Sequence, residues 1–141
     1  LSRPLPVMGS RPYNFDDLSV IAKLQLAEEE RLSKTANNFL FCDTNLIVIK
    51  VWSDFKYGRT EKWITDAIQK SDYSLHLLTE IDLPWEDDPL REHPQFRRQL
   101  FELYVQELNN FELGYQTVSG IGECRLKNAL NHIEKLKPHL K

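Results

Sequence analysis

Short apolar runs alternate with helical patterns along this chain. The runs are FLFCDTN (39–45), YSLHLLTEI (73–81) and YQTVSG (115–120), and the segments between them repeat apolar residues every three or four positions. Strands that alternate with helices in this way form parallel sheets, because each helix returns the chain to the same edge of the sheet. We therefore predict an α/β fold with a parallel sheet, in which FLFCDTN is a buried strand.

The first helix is predicted from its capping residues. Asn14 is placed to cap a helix over residues 15–36, and Asp17 stands three positions later as a capping-box partner. Asn37 and Asn38 follow that range, and asparagine tolerates the left-handed geometry that ends many helices. We predict that this pair ends the helix.

Four further helices are predicted. Residues 46–52 are so rich in branched side chains that periodicity alone does not separate helix from strand there, and we favour a helix. One begins after Thr44 and breaks at Gly58, a short one is capped by Thr60, and an amphipathic one runs from Pro94 to Gly114. The last covers residues 121–136. Its apolar stripe is predicted to be buried and consists of Leu126, Ala129, Leu130, Ile133 and Leu136.

Composition excludes several classes of protein. The 141 residues are 41% hydrophobic and 28% charged, as in one ordinary globular domain, and the net charge of −3 does not suit a nucleic-acid binder. Cys42 and Cys124 are too far apart in sequence to suggest a metal site, and a thiol in an apolar run favours a reducing, cytoplasmic location. No signal peptide or membrane span is indicated. Residues 1–10 are interpreted as an irregular leader before a domain at 11–141.

Asp43 is the first candidate for chemistry. It ends the run FLFCDTN, and an acid at the carboxyl end of a parallel strand can hold Mg²⁺ in α/β folds. An Asp-Thr pair at this position could instead cap the next helix. Both interpretations remain open on these residues alone.

Three arginines form the second candidate set. Arg91, Arg97 and Arg98 lie in or beside DPLREHPQFRR, within a proline-rich and highly charged segment, 82–98. A guanidinium fork suits phosphate oxygens, so these side chains could close over a nucleotide. The alternative is a solvated charged face.

Aromatic residues form a third set. Trp52, Tyr57, Trp63 and Trp85 offer flat rings that could sandwich a nucleobase or a pyridinium. The alternative is that these rings belong to the hydrophobic core.

Several blocks together resemble one known family. LFCDTNLIVIKVW, LLTEIDLPWEDDPLREHPQFRRQLFELY and VSGIGECRLKNA are similar in order and spacing to AAA-type P-loop ATPases and kinases, a family that includes the nicotinamide-riboside kinase domain of bacterial NAD-synthesis regulators. The resemblance covers about residues 11–133. It implies a three-layer α/β/α fold with a parallel sheet, with ATP and Mg²⁺ as cofactors and a small nucleoside as substrate.

The resemblance also implies roles for individual residues. Asp43 matches the Walker-B acid, which makes it both a catalytic residue and the metal ligand. Trp52 and Tyr57 fall where the nucleoside is expected. The other matches are Arg91, Arg97 and Arg98 as catalytic residues of a lid over about 82–98, and Gly120, Gly122 and Arg125 at a cofactor-binding turn beside the adenine.

The chain departs from the family at one motif. None of its five glycines begins or ends a G-x-x-x-x-G-K-[ST] phosphate loop, so the first strand and the loop's helix are expected to be missing. We expect an intact protein that phosphorylates a small nucleoside, with nicotinamide riboside as the implied acceptor, and an inactive 141-residue chain. The alternative is a non-catalytic nucleotide-binding or interaction module. Unpaired sheet edges lead us to expect direct pairing of the remaining strands or a homodimer, with neither nucleic acid nor membrane as a partner.

Overall fold

The computed structural model describes residues 14–81 and 96–136 and confirms the α/β class with a parallel sheet. Arg91 and Trp85 lie outside the described residues. The helices and strands within those ranges are α1 (Phe15–Ser33), α2 (Leu46–Tyr57), α3 (Lys62–Gln69), β1 (His76–Thr79), α4 (Arg97–Asn110), β2 (Tyr115–Val118) and α5 (Glu123–Leu136).

The chain divides into two compact units between Ser71 and Asp72. The amino-terminal unit contains α1, α2 and α3, and the carboxy-terminal unit contains both strands with α4 and α5. Each unit has its own buried apolar side chains, so each is described by itself.

Helix α1 begins as predicted and ends earlier than predicted. The Asn14 side chain accepts from the Asp17 backbone N–H at 3.0 Å, and the Asp17 carboxylate accepts from the Asn14 N–H at 3.0 Å. The helix ends at Ser33, so the end predicted at Asn37 and Asn38 is wrong. Residues 33–38 are all exposed, and an extra turn there would bury no apolar surface.

Helix α2 is the most buried helix of the amino-terminal unit. The helix predicted after Thr44 is confirmed, and Gly58 ends it in the left-handed region at φ +70°. Helix α3 follows, but Thr60 does not cap it, because the Thr60 hydroxyl donates to Asp54 Oδ1 at 2.7 Å. The apolar core of this unit includes Leu18, Ala22, Ile49, Val51, Trp52, Ile64 and Ile68.

The segment FLFCDTN is not a strand, and its predicted burial is wrong. Phe41 is 69% exposed, and its ring stacks on Phe39 with 5.9 Å between centroids. A strand requires a neighbour that satisfies its backbone N–H and C=O groups. In residues 14–81 and 96–136 the two strands pair with each other, and neither pairs with this segment.

Strands β1 and β2 form a parallel pair in the carboxy-terminal unit. His76 lies opposite Tyr115 and Thr79 opposite Val118. Helix α4 connects them and ends at Asn110, four residues before Gly114. The buried side chains of this unit include Leu78, Leu100, Phe101, Tyr104, Leu108 and Val118.

Helix α5 buries the stripe predicted for it only in part, since Ala129, Ile133 and Leu136 are half-buried. Leu126 is 61% exposed and Leu130 is 47% exposed, and no residue of the helix is fully buried. Two polar contacts join it to β2 and the residue after it: Asn128 Oδ1 accepts from the Ser119 N–H at 3.0 Å, and His132 Nε2 lies 3.1 Å from the Thr117 carbonyl oxygen. These two polar residues share one face, so the exposed leucines point elsewhere.

Candidate functional site

The predicted site residues are divided between the two units. The amino-terminal unit contains Asp43, Trp52 and Tyr57, and the carboxy-terminal unit contains Arg97, Arg98, Gly120, Gly122 and Arg125.

The carboxyl edge of the two-stranded sheet is the best-defined part of the candidate site. Because β1 and β2 are parallel, their carboxyl ends meet at one edge, where open α/β sheets bind ligands. The Glu80 N–H donates to the Val118 carbonyl at 2.7 Å and continues the ladder by one residue beyond β1. A turn over residues 119–122 leads from β2 into α5.

Two glycines shape this turn. Gly120 has φ +98° and Gly122 has φ +59°, both in the region that side chains with a Cβ rarely adopt. A Cβ on Gly120 would also lie 3.2 Å from the Arg125 backbone nitrogen and 3.2 Å from Cys124 Cβ. Gly122 has open space around it. Two features therefore favour glycine at position 120: its positive φ and the atoms that lie close to where a Cβ would be. Only the positive φ favours glycine at position 122.

Arg125 joins this turn to the end of β1. Its Nη1 donates to the Gly120 carbonyl at 3.0 Å, and its Nη2 donates to the Glu80 carbonyl at 2.7 Å. One guanidinium thus holds two backbone segments that are 40 residues apart in sequence. The structure brings together the predicted residues Gly120 and Arg125.

The two described arginines at the start of α4 have different surroundings. Arg97 is half-buried, and its Nη2 donates to the Ile81 carbonyl at 3.4 Å. Arg98 is exposed, and its guanidinium carbon lies 5.7 Å from the centroid of the Phe101 ring. Arg98 is therefore the more accessible of the two cations.

Asp43 is exposed, and it is not the cap of α2. Asn45 is the N-cap, because its side chain accepts from the Ile47 N–H at 3.0 Å. Between these two residues Thr44 has φ +74°, which is unusual for a β-branched residue, and Gln25 donates to its carbonyl. The helix-capping interpretation of Asp43 is therefore wrong, and its role as a metal ligand stays a prediction.

Cys42 lies beside Asp43 and is half-buried with a free thiol. Burial raises the pKa of this thiol, and the nearby Glu29 carboxylate raises it further. A raised pKa keeps the sulfur protonated at neutral pH, and a protonated thiol is a poor nucleophile and a poor metal ligand.

The aromatic pair Trp52 and Tyr57 differs in exposure. Trp52 is 3% exposed and contacts Phe55 edge to face, with 6.2 Å between ring centroids. Tyr57 is half-buried, and its ring meets Phe15 edge to face at 5.8 Å. Trp52 is a core residue in this structure, so Tyr57 is the better placed of the two to meet a ligand.

Trp63 joins α3 to α1. Its indole N–H lies 2.9 Å from Glu61 Oε2 and 3.0 Å from the hydroxyl oxygen of Ser19. Lys23 Nζ lies 5.6 Å from the ring centroid. These contacts account for Trp63 without a ligand.

Sequence reasoning missed two residues at the sheet edge. Glu80 supplies a carbonyl to Arg125, and Asn128 supplies a side-chain acceptor to the turn. The spacing of Arg125, Asn128 and His132 at positions i, i+3 and i+7 was the available signal, because it places three polar residues on one helix face. Glu80 acts through its backbone, so its residue type carried no signal.

The described residues include neither a metal-binding cluster nor a membrane-spanning helix. Residues 14–81 and 96–136 contain no group of three or more His, Cys, Asp or Glu side chains able to hold a metal ion. In the same ranges no helix is both long enough and apolar enough to cross a membrane.

A family model described as "AAA domain" matches residues 9–125. The match covers most of the chain and includes parts of both units. No curated protein matches the chain. The family match, together with the parallel sheet and its glycine turn, shows that this chain belongs to the AAA domain family, which is of the P-loop nucleotide-binding type.

Proposed function

We propose that this chain is the part of an ATP-dependent phosphotransferase that holds the nucleotide base and assists phosphoryl transfer to a small nucleoside. The observation that carries nucleotide binding is the family match across residues 9–125. The acceptor rests on the sequence resemblance alone, which implies nicotinamide riboside.

The carboxy-terminal unit supports a nucleotide site at its sheet edge. The glycine turn leaves backbone groups uncovered by side chains at the carboxyl end of β2, where a flat base can approach closely. The exposed Arg98 is the described cation best able to reach a phosphate, and the other two arginines of the predicted set are Arg91 and Arg97. The three arginines would stabilise negative charge on the phosphate oxygens, because phosphoryl transfer depends mainly on positioning and on neutralising that charge.

Asp43 fits the requirement for a magnesium ligand. It offers an exposed carboxylate, and Mg²⁺ is commonly held by one or two carboxylates, water and substrate phosphates. When bound, the ion would neutralise charge on the phosphates.

The proposed acceptor site uses Tyr57. Its partly exposed ring can stack against a nucleobase or a pyridinium, whereas Trp52 is buried in the core.

The phosphate-loop motif is absent from the 141 residues, and this limits the expected activity. Without the backbone amides and the lysine of that loop, the chain has no such group to grip the β- and γ-phosphates. We expect weak ATP·Mg²⁺ binding and no phosphoryl transfer. NMR titration with ATP·Mg²⁺ measures the first, and a coupled ADP-release assay measures the second.

A non-catalytic nucleotide-binding module is the second candidate, and the missing motif favours it. The two candidates separate when the phosphate-loop segment is restored upstream of residue 11. Phosphoryl transfer to a nucleoside in the restored protein supports the kinase. ATP binding without transfer supports the non-catalytic module, and no ATP binding by either protein contradicts both.

A further inference from the structure

The guanidinium of Arg125 links the glycine turn to the end of β1. It donates at 3.0 Å to the Gly120 carbonyl and at 2.7 Å to the Glu80 carbonyl. Hydrogen bonds from a charged donor are stronger than those between neutral groups, and the planar fork sets the direction of both. Arg125 therefore fixes the distance between the glycine turn and the end of β1.

Other hydrogen bonds join the turn to α5. The Cys124 N–H donates to the Ile121 carbonyl at 3.2 Å, and the Leu126 N–H donates to the Gly122 carbonyl at 3.3 Å. The Ser119 N–H donates to Asn128 Oδ1 at 3.0 Å, and the Arg125 N–H donates to the Gly122 carbonyl at 3.1 Å. Gly120 and Gly122 both have positive φ, and glycine has more conformations to lose on ordering than any other residue. A contact between this turn and the end of β1 therefore reduces the number of conformations open to the two glycines.

We infer that Arg125 is a positioning residue: it presets the 119–122 turn for a nucleotide base through two backbone carbonyls and does not contact phosphate. This inference rests on the proposed nucleotide-binding function. It differs from the ligand role that the sequence resemblance implied for Arg125, because here the arginine acts on the nucleotide only through the turn.

The contrast with Arg98 supports this assignment. Arg98 is exposed, whereas Arg125 is half-buried with two of its N–H groups directed at carbonyls of the protein. A guanidinium that turned to a phosphate would leave those two carbonyls without this donor. The loss of these two charge-assisted hydrogen bonds opposes such a movement.

Two variants and a matched control test the inference. Arg125→Gln removes the charge and the fork, and Arg125→Lys retains the charge but replaces the fork by a single ammonium group. Lys127→Gln removes one positive charge from an exposed position on the same helix. Should the glutamine variant fail to fold, the lysine variant carries the test.

Amide hydrogen exchange in the absence of nucleotide measures directly whether Arg125 holds the 119–122 turn in one conformation. We expect Arg125→Gln to speed exchange at the amides of residues 80, 119 and 125 at least tenfold after correction for intrinsic rates, while Lys127→Gln leaves them unchanged. Amides of α1 and α2 serve as the internal reference. Unchanged exchange at those three amides in both Arg125 variants would overturn the inference.

NMR titrations with ATP·Mg²⁺ and with inorganic tripolyphosphate separate positioning from phosphate contact. We expect both Arg125 variants to raise the Kd for ATP at least fivefold and to change the Kd for tripolyphosphate less than twofold. Equal weakening of both ligands would show direct phosphate contact and overturn the inference. A wild-type chain that binds neither ligand would contradict the proposed function, and hydrogen exchange would still decide whether Arg125 braces the turn.

Discussion

Helices α2 and α5 are similar in length, and they differ completely in burial. Helix α2 has 12 residues, six of them buried, while α5 has 14 residues and none that is fully buried. Both sequences contain apolar residues at helical spacing, and α5 has the clearer stripe. Periodicity predicted α5 as a helix with a buried stripe and did not separate helix from strand over α2, yet α2 is the helix that is buried.

The difference lies in what covers each helix. Helix α2 packs between α1 and α3, so its apolar side chains meet other apolar side chains. Helix α5 is joined to Thr117 of β2 by His132 and to Ser119 by Asn128, and Leu126 and Leu130 are exposed to solvent. An apolar stripe stabilises a fold only when another element removes it from water.

The largest expected effect tests this difference in burial. Ile49 of α2 is 0% exposed, so Ile49→Ala should lower the free energy of unfolding by about 2–5 kcal/mol. Leu126→Ala in α5 should change it by less than about 0.5 kcal/mol, because the side chain is already in water. Urea unfolding of both variants measures the two values. Equal losses would show that α5 is covered in solution.

A second prediction compares the glycines that end α2 and precede α5. Gly58→Ala places a Cβ at positive φ in open space and should cost about 1–2 kcal/mol. Gly120→Ala should cost more, because its Cβ also meets backbone and Cys124 atoms at 3.2–3.3 Å. Unfolding free energies of the two variants give the order. A smaller loss at Gly120 would mean that the turn rearranges freely.

The third prediction concerns the start of α2. Asn45→Ala removes the N-cap and should cost about 1 kcal/mol, whereas Asp43→Ala should change stability by less than about 0.5 kcal/mol. Thermal unfolding checks both values. ATP·Mg²⁺ binding provides the functional readout, which we expect Asp43→Ala to weaken and Asn45→Ala to leave unchanged. The reverse pattern in stability would restore Asp43 as a cap.

The smallest expected effect is a pH dependence confined to the carboxy-terminal unit. Burial lowers the pKa of His76 below its usual value of 6.5, opposed by a hydrogen bond with the Gly114 backbone. The imidazole of His76 therefore binds a proton more readily in the unfolded chain than in the folded one. The contribution of neutral His76 to the free energy of unfolding is fully present above pH 6.5 and is lost as the pH falls through the folded-state pKa.

All four histidines lie after residue 71. The amino-terminal unit contains no histidine and therefore serves as an internal control for histidine titration. Amide exchange of β1 should quicken between pH 7.5 and 5.5, after correction for intrinsic rates, while that of α2 should not. A His76→Asn variant should remove the difference. The same pH response in both units would assign it to groups other than histidine.

Two predictions that depend on residues close together in sequence are confirmed, and one that depends on a distant partner is wrong. The Asn14–Asp17 capping box and the Gly58 cap involve residues within a few positions of each other, and both are confirmed. The strand at 39–45 failed, because a strand exists only when a distant segment supplies a partner. Of the site residues, the Gly120 turn at the end of β2 was within reach of sequence, while the carbonyl partners of Arg125 were not.

The sequence by itself determined the α/β class, the positions of both strands, and the residues that begin α1 and end α2. These features depend on local periodicity, side-chain capping and the backbone freedom of glycine. Only the tertiary structure decided that Phe41 and Leu126 are exposed and that Trp52 is core. It also decided that Arg125 joins Glu80 to Gly120. Burial and long-range hydrogen bonds depend on which segments meet in space, and residue spacing along one segment does not contain that information.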